Sequence, residues 1–276
     1  YDALVAATGV SARRLPVPGP PPTAASGRHV IRTLDDAIAL RAALVPGARL
    51  VVLGAGFIGC EVAATARTLG CEVHCVAIDA FPMLRPLGPV LAAELQRRHE
   101  ERGVGFHLGV GAAELAAGTR LEGDVVLGAL GSRCNVGWLE GNGLDLADGV
   151  LTDSSLRPRA EGVPVDGVAV VGDIARFPNR RFDDAAFRVE HWNVPTDTGR
   201  RAGAVLAAYL QGEGYDEAVD AAWDLASTFV LTSRSRSSAS WSDMASSPEA
   251  AAFLRGSGFG SDCTTGTGTG RSTRAS

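Results

Sequence analysis

The chain lacks most of the equipment for metal, thiol or membrane chemistry. Its five cysteines, Cys60, Cys71, Cys75, Cys134 and Cys263, form neither a CxxC pair nor a zinc-ligand spacing. Buried reduced thiols are the expectation, because Cys60 and Cys75 fall inside a helix and a strand of one apolar unit. No apolar run approaches the roughly 18 residues of a membrane span. No signal peptide is read at the start, so a cytoplasmic protein is expected. A net charge of −5 and a pI near 5.6 are the opposite of a nucleic-acid footprint. Nor is there a Ser/His/Asp or Cys/His constellation for nucleophilic catalysis. What is present is an apolar chain of 276 residues, 46% hydrophobic, enough for one large or two modest cores.

One stretch organises the rest: Arg49 to Asp79, RLVVLGAGFIGCEVAATARTLGCEVHCVAID. Leu50 to Leu53 is too short for a helix and valine-rich, which suits a buried strand. Gly54-Ala55-Gly56-Phe57-Ile58-Gly59 follows it. Ile58, Val62, Thr65, Ala66 and Leu69 then recur at helical spacing until Gly70, and Val73 to Ile78 reads as a second strand. A glycine pattern alone is a weak signal, but inside a βαβ unit of about 30 residues it becomes a dinucleotide fingerprint. Gly54 permits the tight turn, Gly56 the close approach of backbone to a pyrophosphate, and Gly59 the packing of helix on strand. The phosphates would meet the bare amides and positive dipole of the helix N-terminus. The acid that accepts the adenosine ribose hydroxyls is expected at Ala77. The nearest acid is Asp79, on the same side of the strand by alternation. No arginine follows directly to welcome a 2′-phosphate, so NADH is favoured over NADPH.

Along the rest of the chain, Tyr1 to Gly9 reads as a strand entering a glycine turn, as though the chain began within a domain. Prolines 16 to 22 make a linker. Thr33-Leu34-Asp35-Asp36 starts a helix close to a capping box, running to Leu44. A helix over Gly88–Arg102 and strands over Val104–Val110 and Asp124–Leu130 complete an alternation typical of a parallel α/β sheet. Beyond Gly131 come short strands and turns. The strand Val168 to Val171 ends in Gly172-Asp173, which would aim a carboxylate and a helix N-terminus past the sheet edge. A last helix is expected over Thr196–Gln211, with Ala202, Val205, Leu206, Tyr209 and Leu210 on its core face. From Thr232 to Ser276 the composition turns to Ser, Gly, Thr and Arg without periodicity. This tail is expected to be disordered or non-native, as a frameshift would produce, with a flexible partner-binding tail as the rival reading.

Three separated pieces, ALVAATG at 3–9, the fingerprint at 54–59 and VVGDIA at 170–175, point one way. With ATG-x3-R-x-LP, RTLDDA, GAGFIGCE, GDIARFPN and the EHW segment, the chain resembles the two-dinucleotide flavoprotein reductases. Within them it looks most like the FAD-dependent ferredoxin and rubredoxin reductases, over Tyr1 to about Gln211. The resemblance implies two Rossmann-like α/β domains, with the NAD domain inserted in an FAD domain that is incomplete here, because the family's first GxGxxG lies upstream of its ATG strand. Residues 1–26 would end the first FAD-domain segment and 27–133 would bind NAD(P). Residues 134–231 would form the second FAD segment and the start of a C-terminal region, and 232–276 the tail.

By the same resemblance, cofactor-binding positions are Thr8, Gly9, Arg13, Gly54, Gly56, Phe57, Ile58, Gly59, Glu61, Asp79, Gly131, Gly172, Asp173, Glu190, His191 and Trp192. Arg13 matches an FAD-contacting arginine, or is a solvated linker residue. Asp173 matches the aspartate that bonds the ribityl chain, or is a helix N-cap. Trp192 matches the position whose backbone meets the flavin edge, or is a core aromatic. Glu61 matches the carboxylate near the nicotinamide, the one catalytic position implied, or is an exposed helix glutamate. Arg85, Arg133 and His191 carry no catalytic role. Cys134 stands where the family has proline in a G-x-R-P-N hinge, a change bearing on the docking angle.

The implied activity is hydride transfer from NADH to FAD, then single electrons to a ferredoxin- or rubredoxin-type protein, chemistry that belongs to the cofactors. The missing CxxC argues against a disulfide reductase. Two alternatives stand: a flavoprotein reductase with another acceptor, and a catalytically silent NAD(P)-binding module.

Overall fold

A computed structural model describes residues 1–14, 26–110, 121–179, 183–191 and 193–213. The linker prolines, Trp192 and the 232–276 tail lie outside the described residues. In chain order the elements begin with β1 (Leu4–Ala6), β2 (Val10–Ala12), β3 (Arg28–His29), α1 (Leu34–Ala43), β4 (Arg49–Leu53), α2 (Phe57–Thr68) and β5 (Glu72–Ala77). They continue with α3 (Leu84–Glu100), β6 (Val104–Leu108), β7 (Val125–Gly128), β8 (Ser132–Cys134), β9 (Val150–Leu151), β10 (Arg159–Ala160), β11 (Val163–Pro164), β12 (Val168–Val170), β13 (Ala175–Asn179), β14 (Asp183–Arg188) and α4 (Asn193–Leu210).

The valine-rich runs do what continuous apolar segments must do when both faces are covered. They form a five-stranded parallel sheet in the order β3-β7-β4-β5-β6. Leu50, Val52, Val73, Cys75, Val125 and Leu127 form one buried layer, against which Leu40, Leu44, Ala63 and Ala66 of the helical segments pack. The expected α/β class holds. The capping box of α1 closes in full: Thr33 Oγ1 accepts from the Asp36 amide at 3.2 Å and Asp36 Oδ2 accepts from the Thr33 amide at 2.9 Å. The expected helix over 88–102 starts earlier, at Leu84, and breaks at Gly88. Pro89 disfavours helical geometry in the residue before it, and Gly88 takes φ 70°.

A second buried cluster gathers Ala6, Val150, Leu156, Ala169, Val170, Ile174, Phe177, Ala202 and Leu206. Here β1 runs parallel to β12, Ala6 opposite Val170, as a two-stranded sheet. Leu4 and Val5 of this pair stay 45% and 49% exposed, unusual for apolar residues of a parallel sheet. The Gly172-Asp173 turn opens no α-helix. A three-residue 3₁₀ turn, Gly172–Ile174, passes directly into β13, which is held by β14 on one side and β9 on the other. The long helix comes only at Asn193, and its Thr198 hydroxyl accepts the Gly172 amide at 2.9 Å. Ala202, Val205 and Leu206 are buried as expected, whereas Leu210, the last residue of the helix, is 56% exposed. Among the described residues no helix is long and apolar enough to cross a membrane.

Candidate functional site

The glycines of the 54–59 loop divide by what surrounds them. A Cβ on Gly54, whose φ is 106°, would stand far inside van der Waals distance of the Ala129 carbonyl oxygen, and one on Gly59 would collide with the Gly54 carbonyl. These two glycines are demanded by the fold. Gly56 is different: a Cβ there meets nothing within 4 Å. It is the N-cap of α2, and no side chain caps that helix start. Phe57 and Ile58, in the first turn, are 43% and 44% exposed. An uncapped helix start fronted by open space is what a pyrophosphate requires, so these residues fit a dinucleotide.

Past the end of β5, Ala77 is buried and Asp79 is partly exposed, so the acid sits two residues beyond the usual place. The structure also supplies what adjacency in sequence did not. Arg85 Nε approaches Asp79 Oδ2 at 3.8 Å from the first turn of α3. Met83, in the left-handed conformation at φ 55°, donates its amide to Ala55 O at 2.8 Å and so ties this loop to the glycine turn.

The second group of predicted residues lies around the ends of β1 and β12. Gly9 (φ 62°), Gly131 (φ 84°) and Gly172 (φ 70°) all take left-handed turns. Thr8 and Asn135 lock together: Thr8 Oγ1 donates to Asn135 O at 2.7 Å, and Asn135 Nδ2 donates to Thr8 O at 3.0 Å. Arg13 is exposed but tied to the neighbouring strand. Its Nε donates to Ser132 O at 2.6 Å and its amide to Gly131 O at 2.9 Å, which clamps the β2–β8 ladder. Asp173 is not a helix N-cap, because Val171 holds that place in the 3₁₀ turn. Its carboxylate is only 13% exposed and receives Arg32 Nη2 at 3.3 Å.

Arg32 is the residue that the sequence reading missed. It sits just before the capping box of α1, outside any glycine pattern, and no local signal links it to a carboxylate 141 positions away. Its only hint was its place in the RTLDDA segment.

Glu190 reaches the same region, with His191 next to it in the chain. Glu190 accepts from the Ser132 hydroxyl and from Arg188 Nη1, the latter at 2.6 Å; Arg188 also donates to the Asp173 carbonyl at 3.0 Å. His191 Nδ1 accepts the Asn193 amide at 3.4 Å. Burial lowers the His191 pKa, and the charge of Glu61, reaching it from α2, opposes that shift. Glu61, exposed on α2, is therefore near enough for its charge to act on His191, ahead of α4, though 130 positions separate them.

Behind the loop, burial pushes the Cys60 and Cys75 thiols up to about 12, with the Glu61 charge adding to the shift at Cys60. No group of three or more metal-ligating side chains occurs among the described residues.

Known proteins match this arrangement. The family model described as pyridine nucleotide-disulphide oxidoreductase matches residues 1–199. The ferredoxin–NAD(+) reductase component of the anthranilate 1,2-dioxygenase system of Burkholderia cepacia is 36% identical over 223 residues, 77% of this chain and 52% of its own. Rhodocoxin reductase of Rhodococcus erythropolis is 34% identical over 64% of this chain and 43% of its own. Among solved structures, the covalent putidaredoxin reductase–putidaredoxin complex matches with a TM-score of 0.65 at 30% identity, covering 77% of this chain and 52% of that one. The chain spans about half the length of the curated relatives it matches. With a family model covering residues 1–199 and these relatives agreeing, the chain belongs to the pyridine nucleotide-disulphide oxidoreductase family.

Proposed function

We propose that this chain is the coenzyme-binding part of an NADH-dependent flavoprotein reductase that passes electrons from NADH, through FAD, to a ferredoxin- or rubredoxin-type protein in the cytoplasm. The observation that carries this reading is the meeting of two sites. The uncapped, open start of α2 would receive a coenzyme pyrophosphate, and from that same helix the Glu61 charge reaches His191, next in the chain to Glu190, whose partner Arg188 donates to the Asp173 carbonyl. Residues 27–133 would form the NAD(P)-binding domain, with Gly56, Phe57 and Ile58 at the phosphates and Asp79 at the ribose. Residues 1–26 and 134–231 would belong to the flavin-binding part.

The residues present fit the ribityl end of a flavin. Asp173 is a shielded carboxylate whose present partner, Arg32, is itself about half exposed and able to move aside. Thr8-Gly9, Gly131, Gly172 and Glu190-His191 frame the same region, and Arg13 fixes the β2–β8 ladder beneath them. FAD, when bound, would supply the hydride-accepting and one-electron chemistry. The protein's part is to bind and orient: Asp173 to accept a ribityl hydroxyl, and Glu61 to hold negative charge at the coenzyme seam. The Cys60 and Cys75 thiols take no part, because they stay protonated and buried.

One observation favours a second reading. The β1–β12 sheet has two strands and leaves Leu4 and Val5 half exposed, so the flavin-side framework is thin. On that reading the chain binds NADH and holds no flavin. Purification decides: a yellow protein absorbing near 450 nm (a flavin band), bleached by NADH, supports the reductase. A colourless protein that still binds NADH leaves the silent module.

A further inference from the structure

The outer strands of the parallel sheet carry a pair of histidines that the proposed electron transfer does not use. His74 on β5 and His107 on β6 approach with Nδ1 of the first 3.2 Å from Nε2 of the second, and their ring centroids lie 5.3 Å apart. They are not opposite each other in the ladder. The residue opposite His74 is Gly105, and His107 is opposite Val76. A Cβ at position 105 would stand 2.7 Å from His74 Nδ1, so glycine is what allows the imidazole to lean across β6 and reach His107. On the far side of the ring, His74 Nε2 lies 3.1 Å from Glu72 Oε1. A carboxylate only accepts, so it draws the ring proton to Nε2 and leaves Nδ1 as a lone pair turned toward His107. The His74 side chain is 29% exposed, open to an ion from solvent.

We propose that His74 and His107 form a chelating site for a first-row divalent transition metal of the Zn²⁺ class, with Glu72 as the outer carboxylate that fixes the His74 tautomer. Two zinc–nitrogen bonds of about 2.0–2.1 Å at a tetrahedral angle place their nitrogens about 3.3–3.4 Å apart. The observed 3.2 Å is close to that bite, and the two rings would turn so that both lone pairs aim at one ion beside the N···N line. Among the described residues no third ligating side chain joins the pair, so water completes the coordination shell and the affinity is micromolar rather than structural-zinc tight. Metal binding replaces the proton that His107 Nε2 now shares with His74; that proton is relocated through solvent to His107 Nδ1, so the ring stays neutral. The bound ion would pin the edge strand β6 to β5. Imidazole donors favour Cu²⁺ and Zn²⁺ and give nothing to Mg²⁺, a hard cation that takes oxygen ligands.

Calorimetric titration of the tag-free full chain with ZnCl₂ at pH 7.5 tests this. One ion per chain is expected, with no response to MgCl₂. His74→Ala and His107→Ala should each abolish binding while circular dichroism stays unchanged, and Glu72→Gln should weaken it about tenfold. Titration of the unsubstituted chain with CoCl₂ gives a second readout that no folding defect can mimic. Tetrahedral visible bands without a thiolate charge-transfer band support the site. No saturable zinc binding, binding retained in both histidine variants, or a thiolate band that moves the ion to cysteine would each overturn it.

Discussion

Arg32 and Asp173, 141 positions apart, join the segment ahead of α1 to the turn after β12 through one contact of 3.3 Å. The Arg32 side chain is 47% exposed, so the pair contributes at most about 1 kcal/mol. Arg32→Ala should therefore shift the melting temperature by no more than about 4 °C. Asp173→Asn should keep the fold but lose flavin, read as the 450 nm absorbance per chain after gel filtration. Equal flavin content in Asp173→Asn and the parent would remove Asp173 from the flavin site.

The three fingerprint glycines should separate by substitution. Gly54→Ala and Gly59→Ala drive a methyl into carbonyl oxygens and should cost several kcal/mol of stability, visible as a large drop in melting temperature or as insoluble protein. Gly56→Ala meets no protein atom and should melt like the parent. Its methyl stands where a pyrophosphate would approach, so coenzyme affinity should fall by tenfold or more.

Coenzyme choice should rest on Asp79 and its neighbour Arg85, 3.8 Å apart. Asp79→Ala should weaken NADH about tenfold, near 1.4 kcal/mol. It should also strengthen NADPH, because Arg85 is then free to meet a 2′-phosphate. Dissociation constants for both coenzymes, measured by fluorescence, check this directly. Arg85→Ala in the same background should erase the gain.

Stability should fall as the medium is acidified. Burial lowers the pKa of His29, with the Asp36 charge opposing, and burial also lowers that of His99. A histidine with a depressed folded pKa binds its proton more readily when unfolded, so stability rises with pH across the window below about 6.5. Melting temperature should drop between pH 7.5 and pH 5.5, and His29→Gln, if folded, should flatten that slope. A flat profile in the parent would contradict the burial of these rings.

Thiol titration supplies a further check. Cys60, Cys71 and Cys75 are all buried, and the first and third are pushed up to about 12. None of the three should react with a disulfide reagent at pH 8 until denaturant is added. Rapid labelling of Cys60 in the native protein would reopen a thiol route for the electrons.

The parallel sheet was legible because its signals are local: valine runs that end at glycine, helical periodicity from Ile58 to Leu69, and Thr33 paired with Asp36. What the sequence concealed was long-range. Nothing near Arg32 announces Asp173, and Arg85 reaches Asp79 only because the chain folds back through the left-handed Met83. The Gly172-Asp173 turn looked like a strand-to-helix junction, yet tertiary pairing made Ala175–Asn179 a strand between β9 and β14. At Arg13 the sequence leaves a flavin contact and a solvated linker residue both open, because the acceptor of its guanidinium, the Ser132 carbonyl, lies 119 positions away.

The central claim, that the open start of α2 receives a nicotinamide coenzyme, is tested most directly by titrating NADH into the purified chain and into Gly56→Ala, following nucleotide fluorescence. The account predicts saturable binding to the parent, weakened at least tenfold in Gly56→Ala at an unchanged melting temperature. No saturable response in the parent, or equal affinity in both proteins, would contradict it.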